Sequence, residues 1–382
     1  MLLGADGQLS ATIFAEMSAL AVATGSINLG QGFPDEDGPA EVLEAARAAI
    51  SAGLNQYPPG RGMPVLREAI SAHQQRFYGL TPNPDTEVLV TAGATEAIAA
   101  TILALTEPGD EVLTFEPFYD SYGAMASLGG ATHTTVPLRW PDFQPDPDDL
   151  RAAVTDRTRI ILINNPHNPT GTMLDRAILE LIVELAEKHD AIIVSDEVYE
   201  HLTFDQPHIP IATIPGAPAR TVTISSGGKT FSTTGWKIGW LTASAELVDA
   251  ILAVKQFLTF VNGAPFQPAI AVGLALDDSF FADAASVLRG KRDVLSAGLQ
   301  SAGFTVSVPQ AGYFVIADVA PLGFTDAAAF CRELPALAGV VGVPVNAFVH
   351  EENRPEYASL VRFAYCKKIG VLEDAVARLA AF

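Results

Sequence analysis

Three short apolar runs, spaced roughly thirty residues apart, constrain this chain more than any other feature. Residues 159–163 lead into Asn164-Asn165-Pro166-His167-Asn168-Pro169-Thr170-Gly171. Residues 191–194 lead into Ser195-Asp196-Glu197-Val198-Tyr199-Glu200, and residues 221–225 into Ser226-Gly227-Gly228-Lys229. That spacing is the length of one strand–helix–strand unit. Short, continuous apolar runs suit strands buried on both faces of a mainly parallel sheet. In such sheets ligands gather beyond the carboxyl ends of the strands. Asn168, Asp196, Tyr199 and Lys229 all fall there.

The alternation starts earlier. Residues 87–90 read as a strand, Thr91-Ala92-Gly93-Ala94-Thr95-Glu96 as a turn into a helix, and residues 111–115 as the next strand. Helices are expected over 41–52 and 64–78, separated by the turn Pro58-Pro59-Gly60-Arg61-Gly62. Residues 1–38 read as loop-rich. From about 275 a helix at 284–302 alternates with short strands at 313–316 and 360–363. The expectation is an α/β protein with a mainly parallel central sheet. A large domain spans 39–274; a smaller α+β domain combines 275–382 with the N-terminal segment 1–38.

Composition narrows the partners. The chain has 382 residues, 49% of them apolar, enough for a large core. Its 23 basic and 44 acidic residues give a formal charge of −21. Nucleic acid and anionic membranes are not expected partners. An anionic ligand needs a local cluster of positive groups against that background. Two cysteines, Cys331 and Cys366, cannot build a disulfide framework, so cytoplasmic residence is the default expectation. The first residues show no secretion signal, and no apolar run of about 18 residues is present.

Lys229 is the residue with the sharpest chemistry. It follows an apolar strand and is flanked by small residues that let backbone amides approach an anion. A primary amine beside a phosphate cradle is what pyridoxal phosphate (PLP) chemistry needs. The NTP-binding phosphate loop is the rival reading of Gly228-Lys229-Thr230. It requires a glycine at 223, where the chain has Thr223, and a long helix after the lysine. Gly235, Gly239 and two tryptophans favour a turn and a strand instead.

PLP chemistry also needs a carboxylate on the ring nitrogen, donors for the phenolic oxygen, a phosphate site and a cation for the substrate carboxylate. Asp196, at the end of an apolar strand, is the candidate acid; a capping aspartate is the alternative. Tyr199, three residues on, and Asn168 are the candidate donors; a core tyrosine and a plain Asn-Pro-Thr-Gly turn are theirs. Gly93, Ala94 and Thr95 open a helix whose free amides suit phosphate, with simple capping by Thr95 as the other reading. Phe118 is placed to stack on the ring or to fill core. Arg362, in a short apolar strand, suits a carboxylate or a structural ion pair.

Taken together, these residues resemble class I/II aminotransferases of PLP fold type I over nearly the whole chain. The family's Asn-Pro-x-Gly matches Asn168 to Gly171, its Asp-x-x-Tyr matches Asp196 and Tyr199, its Ser-x-x-Lys matches Ser226 and Lys229, and its Arg-Phe matches Arg362-Phe363. Lys237 stands where many members carry an arginine on the phosphate; the resemblance is to the kynurenine-aminotransferase branch, where a lysine there is familiar. Asn28 to Asp35 is similar to that branch too, with Gly32 near the substrate. The resemblance implies a homodimer with shared active sites, Tyr57 reaching the neighbour's phosphate and Phe260 and Val261 facing the partner's site. Phe14 to Leu20, Gln31 to Pro39 and Gly263 to Pro268 resemble actinobacterial N-succinyldiaminopimelate aminotransferases, which implies lysine biosynthesis. The expected partners are an amino acid and a 2-oxo acid such as 2-oxoglutarate. Arg61, close to Tyr57, is the candidate for a second substrate carboxylate, with a solvated loop charge as the alternative. Other readings are a kynurenine, glutamine or methionine aminotransferase, a cysteine-conjugate β-lyase, and a non-catalytic nucleotide-binding protein.

Overall fold

Seven strands form the central sheet of the computed structural model, which describes residues 12–381. In spatial order they are Val88–Ala92, Ile238–Thr242, Thr221–Ser226, Ile192–Asp196, Thr158–Asn164, Glu111–Glu116 and Thr132–Pro137. Ile238–Thr242 runs antiparallel to both neighbours; the other pairings are parallel. The residues read for a secretion signal lie outside the described ones.

The continuous apolar runs are explained by burial on two faces. In Thr158–Asn164, Ile161 and Ile163 pack with Ile178, Leu179, Ile182 and Leu185 of helix Arg176–Lys188. Ile160 and Leu162 point the other way, onto Ala97, Ile98 and Ile102 of helix Gly93–Leu105. A strand side chain alternates between faces, so both sets must be apolar. Each such side chain contributes about 2 kcal/mol when fully buried. Helix Arg176–Lys188 needs only one apolar stripe, and its other face carries Glu180, Glu184 and Glu187.

The expected helices are present as Ala40–Ser51 and Pro64–Tyr78, and the expected strands lie within two residues of their anticipated bounds. Three differences have physical causes. Residues expected to be loop include helix Ile13–Thr24, closed by the Thr12 hydroxyl accepting the Ala15 N–H at 3.2 Å and by left-handed Gly25. The helix expected at 284–302 begins at Asp278, because Phe280 and Phe281 pack in its first turn against the cluster around Leu66, Ile70 and Phe231. Strand Thr132–Pro137 was not anticipated from its Thr-His-Thr-Thr run; as an edge strand it is only half buried and tolerates polar residues.

A second sheet is antiparallel, in the order Val343–Pro344, Leu360–Ala364, Phe314–Asp318, Thr305–Ser307. Ile27–Asn28 pairs with Val340–Val341. Met17, Ala21 and Leu29 share a core with Leu295, Leu299, Phe330 and Leu372. Among the described residues no helix is long and apolar enough to cross a membrane. Cys331 and Cys366 are both buried and free.

Candidate active site

Strand Thr221–Ser226 ends in the helical turn Gly227–Thr230. Ser226 caps that turn, its hydroxyl accepting the Gly228 N–H at 3.2 Å. The turn stops at Thr230, so the long helix of a phosphate loop is absent. The Lys229 amine donates to the Gly32 carbonyl at 3.3 Å and lies 5.6 and 5.4 Å from the ring centres of Tyr199 and Tyr313. The Tyr313 hydroxyl donates to the Lys229 carbonyl at 2.9 Å. Burial lowers the amine's pKa, opposed by Cys366 and Asp196. A lowered pKa gives a larger nucleophilic fraction near neutrality.

Asp196 is the last residue of its strand and is 5% exposed. Burial raises its pKa to about 6, while the Tyr122 hydroxyl, donating at 2.7 Å, pulls it down. A buried acid held near neutrality is suited to a ring N–H. The sequence leads one to expect a cation beside it; Lys229 favours its charged form, but its direct partner is Tyr122. Tyr199 follows in a tight turn, in which the Glu200 N–H bonds the Glu197 carbonyl at 2.9 Å. It is fully buried, and burial with the adjacent Asp196 keeps its phenol protonated.

Asn164 joins two of these loops. Its Oδ1 accepts the Asn168 N–H at 2.7 Å and its Nδ2 donates to the Asp196 carbonyl at 2.8 Å. The third loop, after Val88–Ala92, is the start of helix Gly93–Leu105. Glu96 accepts the Ala92 N–H at 2.5 Å, so Thr95 does not cap this helix. The Thr95 hydroxyl instead accepts from the Lys237 amine at 3.5 Å. Lys237 has a left-handed backbone, φ 54°, an unfavourable region for a lysine. Its carbonyl accepts from Asn262 at 3.0 Å. A Cβ on Gly93 would meet the Lys237 amine at 3.0 Å, and one on Gly239 would lie 2.5 Å from the Gly93 carbonyl carbon. Two glycines thus let the helix start approach the neighbouring strand, leaving amides and a lysine around one small space.

Gly93, Ala94, Thr95, Asn168, Asp196, Tyr199, Ser226, Lys229 and Lys237 line one cavity of about 180 Å³. Arg362 adjoins it: Nη1 donates to Asn168 Oδ1 at 3.3 Å and Nη2 to the Gly30 carbonyl at 2.9 Å. It is 2% exposed, sits 3.9 Å over the Phe314 ring, and its Nε has no partner. Burial lowers its pKa to about 10. A buried guanidinium without a carboxylate partner is prepared for one. Gly32 packs against Phe314, whose ring a Cβ at 32 would strike at 2.1 Å.

Three expected residues lie elsewhere. Phe118 does not face the cavity; it packs edge-on against His133 at 4.7 Å, and the next ring, Tyr119, lines the cavity in its place. Arg61 is held by an ion pair with Asp249 and by the Thr86 carbonyl at 3.3 Å, so it is not a free cation at this site. Tyr57 is 82% exposed and contacts Phe260 at 5.6 Å, at a separate groove shared with Val261. Sequence reasoning missed Tyr122, Asn164 and Tyr313. For two of them the signal was position: Asn164 ends a strand, and Tyr122 lies in the first turn of helix Ser121–Leu128, beyond the end of another.

A half-buried lysine sharing one cavity with a buried aspartate, at the carboxyl ends of a mainly parallel sheet and beside a helix-start anion cradle, is the arrangement of the PLP-dependent transferases of fold type I. The family model for aminotransferase class I and II matches residues 24–379. The chain belongs to that family and is a PLP-dependent aminotransferase. It is 50% identical over 379 residues to the probable N-succinyldiaminopimelate aminotransferase DapC of Mycobacterium tuberculosis, covering 97% of this chain and 95% of that one. The solved structure of N-succinyldiaminopimelate aminotransferase from that organism superposes with a TM-score of 0.94 over 97% of each chain. Methionine aminotransferase of Escherichia coli is 38% identical over 97% of this chain and 96% of its own length. Mouse kynurenine–oxoglutarate transaminase 3 is 36% identical over 96% of this chain and 87% of its own.

Proposed function

We propose that this aminotransferase moves an amino group from N-succinyl-LL-diaminopimelate to 2-oxoglutarate, with Lys229 as its catalytic base and cofactor lysine. Bound PLP supplies an aldehyde that takes the amino group and a ring that accepts electrons from Cα. The residues fit it: amine, acid, phenol and amide cradle line one cavity. Asp196 would hold the ring N–H, Tyr199 and Asn168 the phenolic oxygen. Ser226, Lys237 and the amides of Gly93, Ala94 and Thr95 would hold the phosphate. Arg362 grips the α-carboxylate through Nη1 and its free Nε, and Lys229 then moves the proton at substrate Cα. The observation that carries this reading is that half-buried Lys229 and buried Asp196 line one cavity, with buried Arg362 adjoining. Lys229→Ala tests it: the protein should fold, yet lose the cofactor's visible absorbance and turnover. A fully active variant overturns the assignment.

The substrate reading is supported by the 50% identical relative and by a neighbouring cavity of about 290 Å³. That cavity reaches Lys229 from another side and carries Lys291, whose amine bonds Glu36 at 2.6 Å. A long anionic side chain has room there, competing with Glu36 for the ammonium. A kcat/KM ranking of N-succinyl-LL-diaminopimelate, kynurenine, glutamine and methionine with 2-oxoglutarate decides between donors. Release of pyruvate and ammonia from cysteine conjugates without an oxo-acid acceptor marks β-lyase activity instead.

The enzyme acts as a homodimer with shared sites in this reading, and in the cytoplasm, the latter supported by two unpaired buried thiols. Exposed Tyr57, Phe260 and Phe257, the last 84% exposed, favour a covered surface there. Activity regained on mixing Lys229→Ala and Tyr57→Ala proteins checks site sharing. The division into 39–274 and 1–38 with 275–382 is supported by the core shared by Met17, Leu29 and Leu372.

A further inference from the structure

Three of the chain's seven histidines lie together outside the catalytic cavity. His73 belongs to helix Pro64–Tyr78; His201 follows Glu200 in the turn after strand Ile192–Asp196; His208 lies just beyond. The Nε2 atoms of His73 and His201 face each other at 2.7 Å. A Glu200 oxygen completes a set whose donor atoms all lie within 4.8 Å of one another. Glu200 is 4% exposed; its Oε1 accepts from Ser225 at 2.5 Å, while Oε2 is buried without a hydrogen-bond partner. His73 Nδ1 is buried and unpartnered as well. Nothing in the aminotransferase reaction uses these groups.

We propose that His73, His201 and Glu200 form a site for a divalent transition-metal ion of the zinc type. Two imidazole nitrogens and a carboxylate oxygen are ordinary zinc ligands, and the imidazoles disfavour magnesium and calcium. At zinc–nitrogen distances near 2.0–2.1 Å, tetrahedral ligands stand about 3.3 Å apart, so the two rings, now nearly head-on with centres 4.8 Å apart, must separate and tilt until both Nε2 atoms aim at one point. In the metal-free arrangement the rings meet nitrogen to nitrogen, and the buried Glu200 carboxylate has the Ser225 hydroxyl and the Tyr78 phenol as its neighbouring donors.

The surrounding charges permit an ion. Arg76, the nearby cation, is engaged by Asp278 through Nε at 2.6 Å. Glu197 supplies a second carboxylate, taken by Ser195 at 2.7 Å and His208 at 2.8 Å. The Tyr78 phenol adjoins Glu200, and burial with that carboxylate pushes its pKa well up. The ion would staple helix Pro64–Tyr78 to the turn that carries Tyr199, and through Glu200 and Ser225 to the strand leading to Lys229. Its role is to stiffen the floor of the active site, not to touch substrate.

Zinc chloride titrated calorimetrically into tag-free, chelator-treated holoenzyme tests the site. About one ion should bind per chain, with magnesium unable to compete. Cobalt(II) should give tetrahedral visible bands that zinc erases. His201→Gln and Glu200→Gln should each weaken zinc binding at least about tenfold and lose the zinc-dependent rise in Tm. Absence of zinc binding by the wild-type holoenzyme overturns the proposal, as does wild-type affinity in both variants.

Discussion

The two walls of the active site are built differently. The proposed cofactor wall comes from the ends of adjacent strands in one sheet: Asn168, Asp196, Tyr199 and Lys229 lie at or beyond strands whose registers pair Asn164 with Asp196 and Asp196 with Ile224. The proposed substrate wall comes from segments more than 300 residues apart, where Arg362 bonds the Gly30 carbonyl and Lys367 donates to the Phe33 carbonyl at 2.8 Å. The first wall is specified by local strand-and-loop rules. The second depends on how distant loops meet, and that is where relatives with different donors can diverge.

The contrast can be broken at its strongest point first. Lys229→Ala should lower turnover by at least about 10⁴-fold with far-ultraviolet circular dichroism unchanged, since base and cofactor attachment are lost together. Asp196→Asn should cost about 10²–10⁴-fold in kcat, because an amide cannot carry the ring proton's countercharge. On the other wall, Arg362→Lys should lower kcat/KM about 10²-fold for every α-amino acid, through lost bidentate geometry, leaving the cofactor's spectrum intact. If Arg362→Lys altered the spectrum as much as Asp196→Asn, the two walls would not be separable.

The remaining tests are gentler. In the apoprotein, burial raises the Asp196 pKa from 3.8 to about 6. Its contribution to stability is therefore fully present below pH 3.8 and is lost as pH rises through about 6, by about 3 kcal/mol. Urea unfolding of apo wild type and Asp196→Asn across pH 4–7 should show that loss only in the wild type. Arg61→Gln should change kcat/KM by less than about threefold for succinylated and unsuccinylated donors alike, because Asp249 already holds the guanidinium. A selective loss with the succinylated donor would return Arg61 to the substrate wall.

The same division governs what could be read in the chain. The sheet was legible because two-faced burial forces unbroken apolar runs, as at Ile160 to Ile163. The gathering of Lys229, Asp196, Tyr199 and Asn168 around one cavity was legible because strand ends in such a sheet converge. Phe118 was misplaced because one residue decides which way a loop turns: Tyr119 faces the cavity and Phe118 packs against His133. Tyr313 escaped notice because its contact with the Lys229 carbonyl spans 84 residues. Helix Ile13–Thr24 was overlooked although Thr12 and Gly25 mark its two ends.

The paired glycines at 93 and 239 carry a consequence for the history of such a chain. The anion cradle depends there on missing atoms, and a missing atom has no compensating partner. A methyl added at 239 presses on main chain, which cannot be trimmed by a second mutation. These two positions are therefore expected to resist drift even where the donor pocket is rebuilt for another amino acid.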